Sequence, residues 1–264
     1  MYSLRLRCAP EEADFLSGEL FEAGTIGIRE LESGANLELL AGFADSSCRA
    51  ELLERFAQYS PEWEHEDETD WMQHTRDAWP PRLMGERIFL APVWCDEATP
   101  DGRVRIIHNP GLACGTGEHP CTQMAFEALE RAVEPGMRVA DIGSGSGILT
   151  IAALALGASF AVGVDHDEAS MSAARENFEL NGITPLLAVG SAESLADGCV
   201  DVCVANINAT VLLEIWEDLR RVTKPGSQMI LTGFTEWESE RIEALAVVCE
   251  RRQVNEWCCL TARA

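Results

Sequence analysis

Val139-Ala140-Asp141-Ile142-Gly143-Ser144-Gly145-Ser146-Gly147 is the stretch on which the fold turns. An apolar strand runs straight into three alternating glycines, and an apolar helix, Ile148–Leu156, follows. Glycines placed this way let the backbone turn sharply and approach a ligand closely. The plainer reading is an ordinary strand-to-helix turn, which seldom needs three glycines. A dinucleotide fingerprint requires glycine at position 148, where isoleucine stands. Asp141 sets a negative charge beside the loop, which suits a cationic ligand better than a pyrophosphate. S-adenosylmethionine has no phosphate and carries a positive sulfonium, so the loop favours a methyl donor over a nicotinamide dinucleotide.

The next strand, Phe160–Asp165, ends in a carboxylate 22 residues after Gly143. At that offset Asp165 lies at the end of the neighbouring strand and can accept both ribose hydroxyls; the alternative is a helix N-cap shared with Asp167. A third signal is Asn206-Ile207-Asn208-Ala209, at the end of the strand Val200–Ile207. Amides there face the ligand crevice, and Asn206 can hold a nucleophilic amine through its side-chain carbonyl; the alternative is an N-cap for the following helix. A fourth is the Gly-rich loop Asn109–Thr122. His119 in this loop is a base or a hydrogen-bonded loop residue, and chemistry alone favours the second.

Around these motifs, strands alternate with helices from about residue 83, the signature of an α/β parallel sheet. Strands are expected at Ile88–Val93, Val104–Ile107, Arg138–Ile142, Leu186–Val189, Gln228–Phe234 and 254–262, and helices at Thr122–Val133, Glu168–Asn181, Ala209–Arg221 and 237–251. The first 60 residues read differently: an alternating strand over 2–8, a helix with Ala13, Leu16, Leu20 and Phe21 inside, two strands, and a helix over 46–59. This β-α-β-β-α order suggests a small α+β domain with a ferredoxin-like split pattern. Residues 61–82, acidic with interleaved tryptophans, read as a linker, leaving 83–264 as the ligand-binding domain.

Composition narrows the function classes. Twenty Lys plus Arg against 44 Asp plus Glu give a formal charge of −24. Such a surface repels phosphate backbones and attracts a basic protein partner, or serves solubility alone. No signal peptide opens the chain and no apolar run reads as a membrane span. The ten cysteines are scattered without a C-x-x-C pair, which fits a reduced cytoplasmic protein better than a disulfide framework or a zinc site.

The loop Gly111-Leu112-Ala113-Cys114-Gly115-Thr116-Gly117-Glu118-His119-Pro120-Cys121-Thr122 resembles the signature of the ribosomal protein L-eleven methyltransferase family. Asp141–Gly147, Gly163–Asp165, Asn206–Ala209, Glu256-Trp257-Cys258 and the stretch Asp70-Trp71 through Val93-Trp94 match it in order. The resemblance implies a Rossmann-like class I methyltransferase domain behind a small domain that recognises the basic ribosomal protein, joined by a flexible linker. It implies S-adenosylmethionine as cofactor and lysine or terminal amines as acceptors; methyl transfer needs no metal, the acidic charge disfavours direct nucleic-acid binding, and a monomer is expected. Thr122, Gly143, Asp165 and Asn206 carry over as cofactor contacts, to which the loop reading adds Asp141, Gly145 and Gly147. Asn206, Thr116 and His119 are the candidate catalytic residues. Cys114, Glu118, Cys121 and Asn208 depart from the family pattern, and Glu118 and Asn208 are expected near the transferred methyl group. That expectation keeps other acceptors open: another protein lysine or a small amine. An NAD-dependent oxidoreductase and a non-catalytic binding module are the remaining readings. Asp165→Ala is expected to weaken S-adenosylmethionine binding in calorimetry; unchanged affinity would remove the ribose assignment.

Overall fold

The computed structural model describes residues 2–33, 36–65, 76–110 and 117–264. The chain divides into two compact units, Met1–Ala78 and Trp79–Ala264.

The first unit runs β1 (Tyr2–Cys8), α1 (Ala13–Glu22), β2 (Gly27–Ser33), β3 (Asn36–Phe43), α2 (Arg49–Arg55) and β4 (Glu62–His65). Its sheet has the order β2-β3-β1-β4 and every pairing is antiparallel, the ferredoxin-like arrangement. Period-2 alternation places Leu4, Leu6, Leu39 and Phe43 on the face that packs against Leu16, Leu20, Leu52 and Phe56. The opposite face carries a charged ladder in which Arg5 and Arg7 share Glu38 and reach Glu64 and Glu62. β4 corrects the sequence reading, because the expected linker begins with a strand. It is an edge strand in which Trp63 packs on the core, while Glu62 and Glu64 face the arginines across the sheet. Acidic residues flanking one tryptophan thus looked like a solvated run.

The second unit begins with a separate three-stranded sheet, β5 (Arg82–Met84), β6 (Ile88–Pro92) and β7 (Val104–His108). There follow α3 (Pro120–Ala132), β8 (Arg138–Ile142), α4 (Ile148–Ala155), β9 (Phe160–Asp165), α5 (Glu168–Leu180), β10 (Leu187–Val189), β11 (Val200–Asn206), α6 (Ala209–Glu214), α7 (Trp216–Val222), β12 (Thr223–Thr235), α8 (Glu236–Glu243), β13 (Val247–Val254) and β14 (Trp257–Arg263). The main sheet has the order β10-β9-β8-β11-β12-β14-β13, parallel from β10 to β12, with β14 antiparallel to both its neighbours. This is the expected Rossmann-like α/β fold. Its central strands are near-continuous apolar runs because both faces are covered. One face packs Val139, Val204 and Ile230 under α3, α4 and Phe178; the other packs Ile142, Cys203 and Leu231 under Leu212, Trp216 and Leu219.

Two expected helices change. Ala209–Arg221 splits at Ile215 into α6 and α7. The helix expected over 237–251 ends at Glu243, and β13 takes its second half. β13 pairs only with β14 and leaves most side chains in solvent, so no period-2 apolar pattern marked it.

The strand order reverses between β8 and β11, and their carboxyl ends open there into the ligand crevice. Helix α5 is tied to this end by two asparagines. Asn181 brackets the edge of β7: its Oδ1 accepts from Ile107 N–H at 2.8 Å and its Nδ2 donates to Ile107 O at 2.6 Å. Asn177, buried, donates to Ser146 O at 2.9 Å and accepts from Asn109 N–H at 2.8 Å. Asn181→Ala leaves those β7 groups without partners and is expected to destabilise the protein by about 1–3 kcal/mol. A thermal melt indistinguishable from wild type would show that the bracket carries no weight.

Candidate active site

At the end of β8 the chain enters the glycine loop with Gly143, Gly145 and Gly147 all at positive φ (73°, 50° and 76°). Side chains are excluded at two of them by packing as well. A Cβ on Gly143 would lie 2.3 Å from Ile207 Cγ2, and one on Gly147 would lie 3.1 Å from Phe178 and 3.3 Å from Ala174. The loop is therefore pressed against Ile207 and α5, and its amides are engaged within the fold: Gly143 and Ser144 N–H donate to Val164 O at 2.8 and 3.1 Å, and Gly147 N–H donates to Ser144 O at 2.8 Å.

Asp165 holds the loop in place. Its Oδ2 accepts from Gly145 N–H at 2.8 Å and its Oδ1 from Asp167 N–H at 3.0 Å. The two aspartates divide the roles that the sequence left open. Asp167 is the N-cap of α5, accepting from Ala169 N–H at 2.9 Å, whereas Asp165 holds the glycine loop; both line the crevice. Asn206 and Asn208 divide in the same way. Asn208 caps α6, its Oδ1 accepting from Val211 N–H at 3.0 Å, and it lines the crevice beside Asn206. Asn206 instead donates from Nδ2 to Thr122 Oγ1 at 3.1 Å, joining the end of β11 to the first turn of α3.

These residues enclose one cavity of about 430 Å³, lined by Thr122, Gly143, Gly145, Asp165, Asn206 and Ile207 among others. The sequence reading missed His166, Ser170 and Ser191 on the same wall; His166 and Ser191 follow strand ends and Ser170 lies in the first turn of α5, but no motif singles them out. It also missed Asn177 and Thr150, helix residues whose roles appear only once α4 and α5 are packed.

Asp141 lies beneath the loop, 1% exposed. Thr150 Oγ1 donates to its Oδ2 at 2.7 Å, and its Oδ1 has no partner among the described residues. Burial pushes its carboxyl up to about 7, against the pull of the Thr150 hydrogen bond and with a smaller push from Asp165. Ser144 Oγ, also buried, is likewise without a partner. Ser144 lines the cavity, where a donor-rich ligand would reach its Oγ, while Asp141 lies behind the lining and would meet a cationic ligand only through its charge.

His119 is the N-cap of α3: its Nδ1 accepts from Cys121 N–H at 3.2 Å, and its ring meets Trp257 edge-on at 4.3 Å. It is not among the residues lining the cavity. Glu118, expected near the methyl group, pairs with Arg82 on β5, and its backbone carbonyl accepts from Gln123 Nε2. Thr116 lies outside the described residues, as do the other residues from Gly111 onward up to it. Among the described residues no cluster of His, Cys, Asp and Glu is arranged to hold a metal. No described helix is long and apolar enough to cross a membrane.

The sequence profile of the ribosomal protein L11 methyltransferase family (PrmA) matches residues 35–264. The chain belongs to that family. A ribosomal protein L11 methyltransferase of Pseudomonas aeruginosa is 33% identical over 263 residues, covering 91% of this chain and 89% of its own. One from Desulfosudis oleivorans is 36% identical over 210 residues, covering 75% of this chain and 68% of its own. The crystal structure of a ribosomal protein L11 methylase from Lactobacillus delbrueckii subsp. bulgaricus superposes with a TM-score of 0.65 at 33% identity, covering 69% of this chain and 97% of that one. The chain is thus an S-adenosylmethionine-dependent methyltransferase. Its residues fit that cofactor: a crevice of suitable size, a side-chain-free loop at Gly143, and the two orphaned buried oxygens of Asp141 and Ser144.

The raised carboxyl of Asp141 has a cost with a definite sign. Its folded value, about 7, exceeds the unfolded value near ~3.9. The unfolded chain therefore binds fewer protons between those limits, and stability falls as pH rises through the window. Asn in place of Asp keeps the Thr150 contact without the charge. Asp141→Asn is expected to melt like wild type near pH 4 and at a higher temperature at pH 8, by up to about 1.4 kcal/mol per pKa unit, while binding S-adenosylmethionine more weakly. Equal melting at both pH values would refute the buried charge.

Proposed function

We propose that this chain methylates amines of ribosomal protein L11, lysine side chains or the terminal amine, in the cytoplasm, and that its first unit recognises that protein. The observation that carries the chemical part is the Asn206–Thr122 pair on the crevice wall. Because Nδ2 of Asn206 is engaged by Thr122, its carbonyl oxygen is oriented as an acceptor for an N–H of the incoming amine. The aliphatic walls given by Ile142, Ile207 and Val211 do the second task. A lysine amine has a pKa near ~10.4 in water and is a nucleophile only when neutral. Apolar surroundings disfavour the ammonium and lower that value.

When bound, the cofactor supplies a methyl carbon made electrophilic by the sulfonium. The neutral amine held by Asn206 would take that methyl from sulfur, and its surplus proton would leave to water. Asn206 aligns the lone pair, so most of the acceleration comes from positioning. Asp165 supports the loop and would take the ribose hydroxyls with the remaining acceptor capacity of its carboxylate. Asp141 supplies negative charge behind the loop, toward the cationic end of the cofactor. His119 contributes by capping α3 and so setting Thr122.

The substrate follows from the family and from charge: a formal −24 favours a basic polypeptide over a phosphate backbone. Incubation with radiolabelled S-adenosylmethionine and purified ribosomal protein L11 is expected to label the protein. Label appearing only on another lysate component would keep the chemistry and discard the substrate. Asn206→Ala is expected to lower kcat about a hundredfold with the fold intact; a change in KM alone would assign Asn206 to binding.

A further inference from the structure

Two asparagines at the end of β11, Asn206 and Asn208, line the crevice. Asn206 offers the incoming amine an acceptor, its carbonyl oxygen. Asn208 offers the opposite. Its Oδ1 is committed to Val211 N–H at 3.0 Å. That bond fixes the orientation of the amide, because the reverse orientation would set two donors face to face. Nδ2 is thereby left as a donor, without a partner among the described residues. The side chain is exposed, so a substrate entering the crevice can reach it.

The wall around this donor is otherwise apolar, formed by Ile207, Val211 and Ile215. Strand order sets it on the acceptor's side. Asp165 ends β9, which is separated from β11 by β8 and its glycine loop. A ribose at Asp165 therefore leaves the β11 wall to the amine. The polar side chain is particular to this chain, since position 208 departs from the family pattern.

Covalent geometry says what such a pair recognises. In a backbone amino terminus the amine and the carbonyl oxygen of the same residue are three bonds apart, about 3 Å. With a hydrogen bond of about 2.9 Å at each end, that unit bridges side chains rooted two positions apart on an extended wall, about 7 Å. A lysine ε-amine has only methylenes within that reach. Seated on Asn206, its chain would cover the Asn208 amide without giving it an acceptor, and a donor stripped of water without a partner is costly.

We propose that Asn208 is a specificity-determining residue that donates from Nδ2 to the first carbonyl of the substrate, so that the terminal α-amine is methylated in preference to lysine side chains. This rests on the reading of the crevice as a site for amines of ribosomal protein L11. The α-amine is also the easier nucleophile. Its reference pKa, roughly 7.7–8.0, is far below the ~10.4 of lysine, so more of it is neutral.

The test combines the full-length enzyme, S-adenosylmethionine and purified ribosomal protein L11, with peptide mass spectrometry following the initial methylation rates of the α-amine and the lysines separately. Wild type is expected to favour the α-amine. Asn208→Ser keeps an oxygen to cap α6 but lacks the amide N–H, whereas Asn208→Leu loses both. Both variants are expected to lower the ratio of α-amine to lysine rates on the order of tenfold. A capping role alone would slow both rates together, so an unchanged ratio in Asn208→Ser overturns the assignment. Preference for lysines by the wild type also overturns it and leaves the substrate standing. If the wild type transfers no methyl group to ribosomal protein L11, the substrate reading fails and the assignment falls with it.

Discussion

The hydrogen bonds from Gly145 N–H and Asp167 N–H to the carboxylate of Asp165 are the interaction on which the rest of the site depends. The first crosses from one parallel strand to its neighbour, so it forms only when β8 and β9 are in register, with Ile142 opposite Val164. With the loop fixed, Gly147 opens α4, α4 carries Thr150 back to Asp141, and Asn177 ties the same loop to the end of β7 through Asn109. One carboxylate thereby sets the position of backbone amides, a buried charge and a helix at once.

That arrangement leaves an electrostatic debt at Asp141, which is buried with one oxygen unpaired. A fold selected for stability alone would place Asn or a hydrophobe there. Retaining a carboxylate whose burial raises its pKa to about 7 makes sense if a bound cation compensates it. The loss of stability and the gain in binding then have one physical origin, a common trade at functional sites.

How much of this was legible in the sequence depends on how local each signal is. β8 and β9 were read to the residue, because apolar runs ending in Asp-x-Gly or Val-Asp are marked at both ends. The glycine loop and Asp165 were equally readable, since a turn and a carboxylate at a fixed offset are local chemistry. The division of labour between Asn206 and Asn208 was not, because it depends on Thr122, 84 positions away. β4 and β13 escaped because both are edge strands with solvent on most sides, where alternation of hydrophobicity is not enforced. Glu118 was expected at the methyl group from sequence proximity to the loop, and its partner Arg82 lies on a strand that sequence could not bring there.

The central claim is that the unpaired carboxylate of Asp141 is settled by the cationic cofactor. Calorimetric titration of S-adenosylmethionine at pH 6, repeated in buffers of different ionisation enthalpy, measures the protons exchanged on binding. At that pH the buried carboxyl is mostly protonated before binding. The account predicts release of about one proton by the wild type and none by Asp141→Asn. Binding by the wild type without proton release would contradict it.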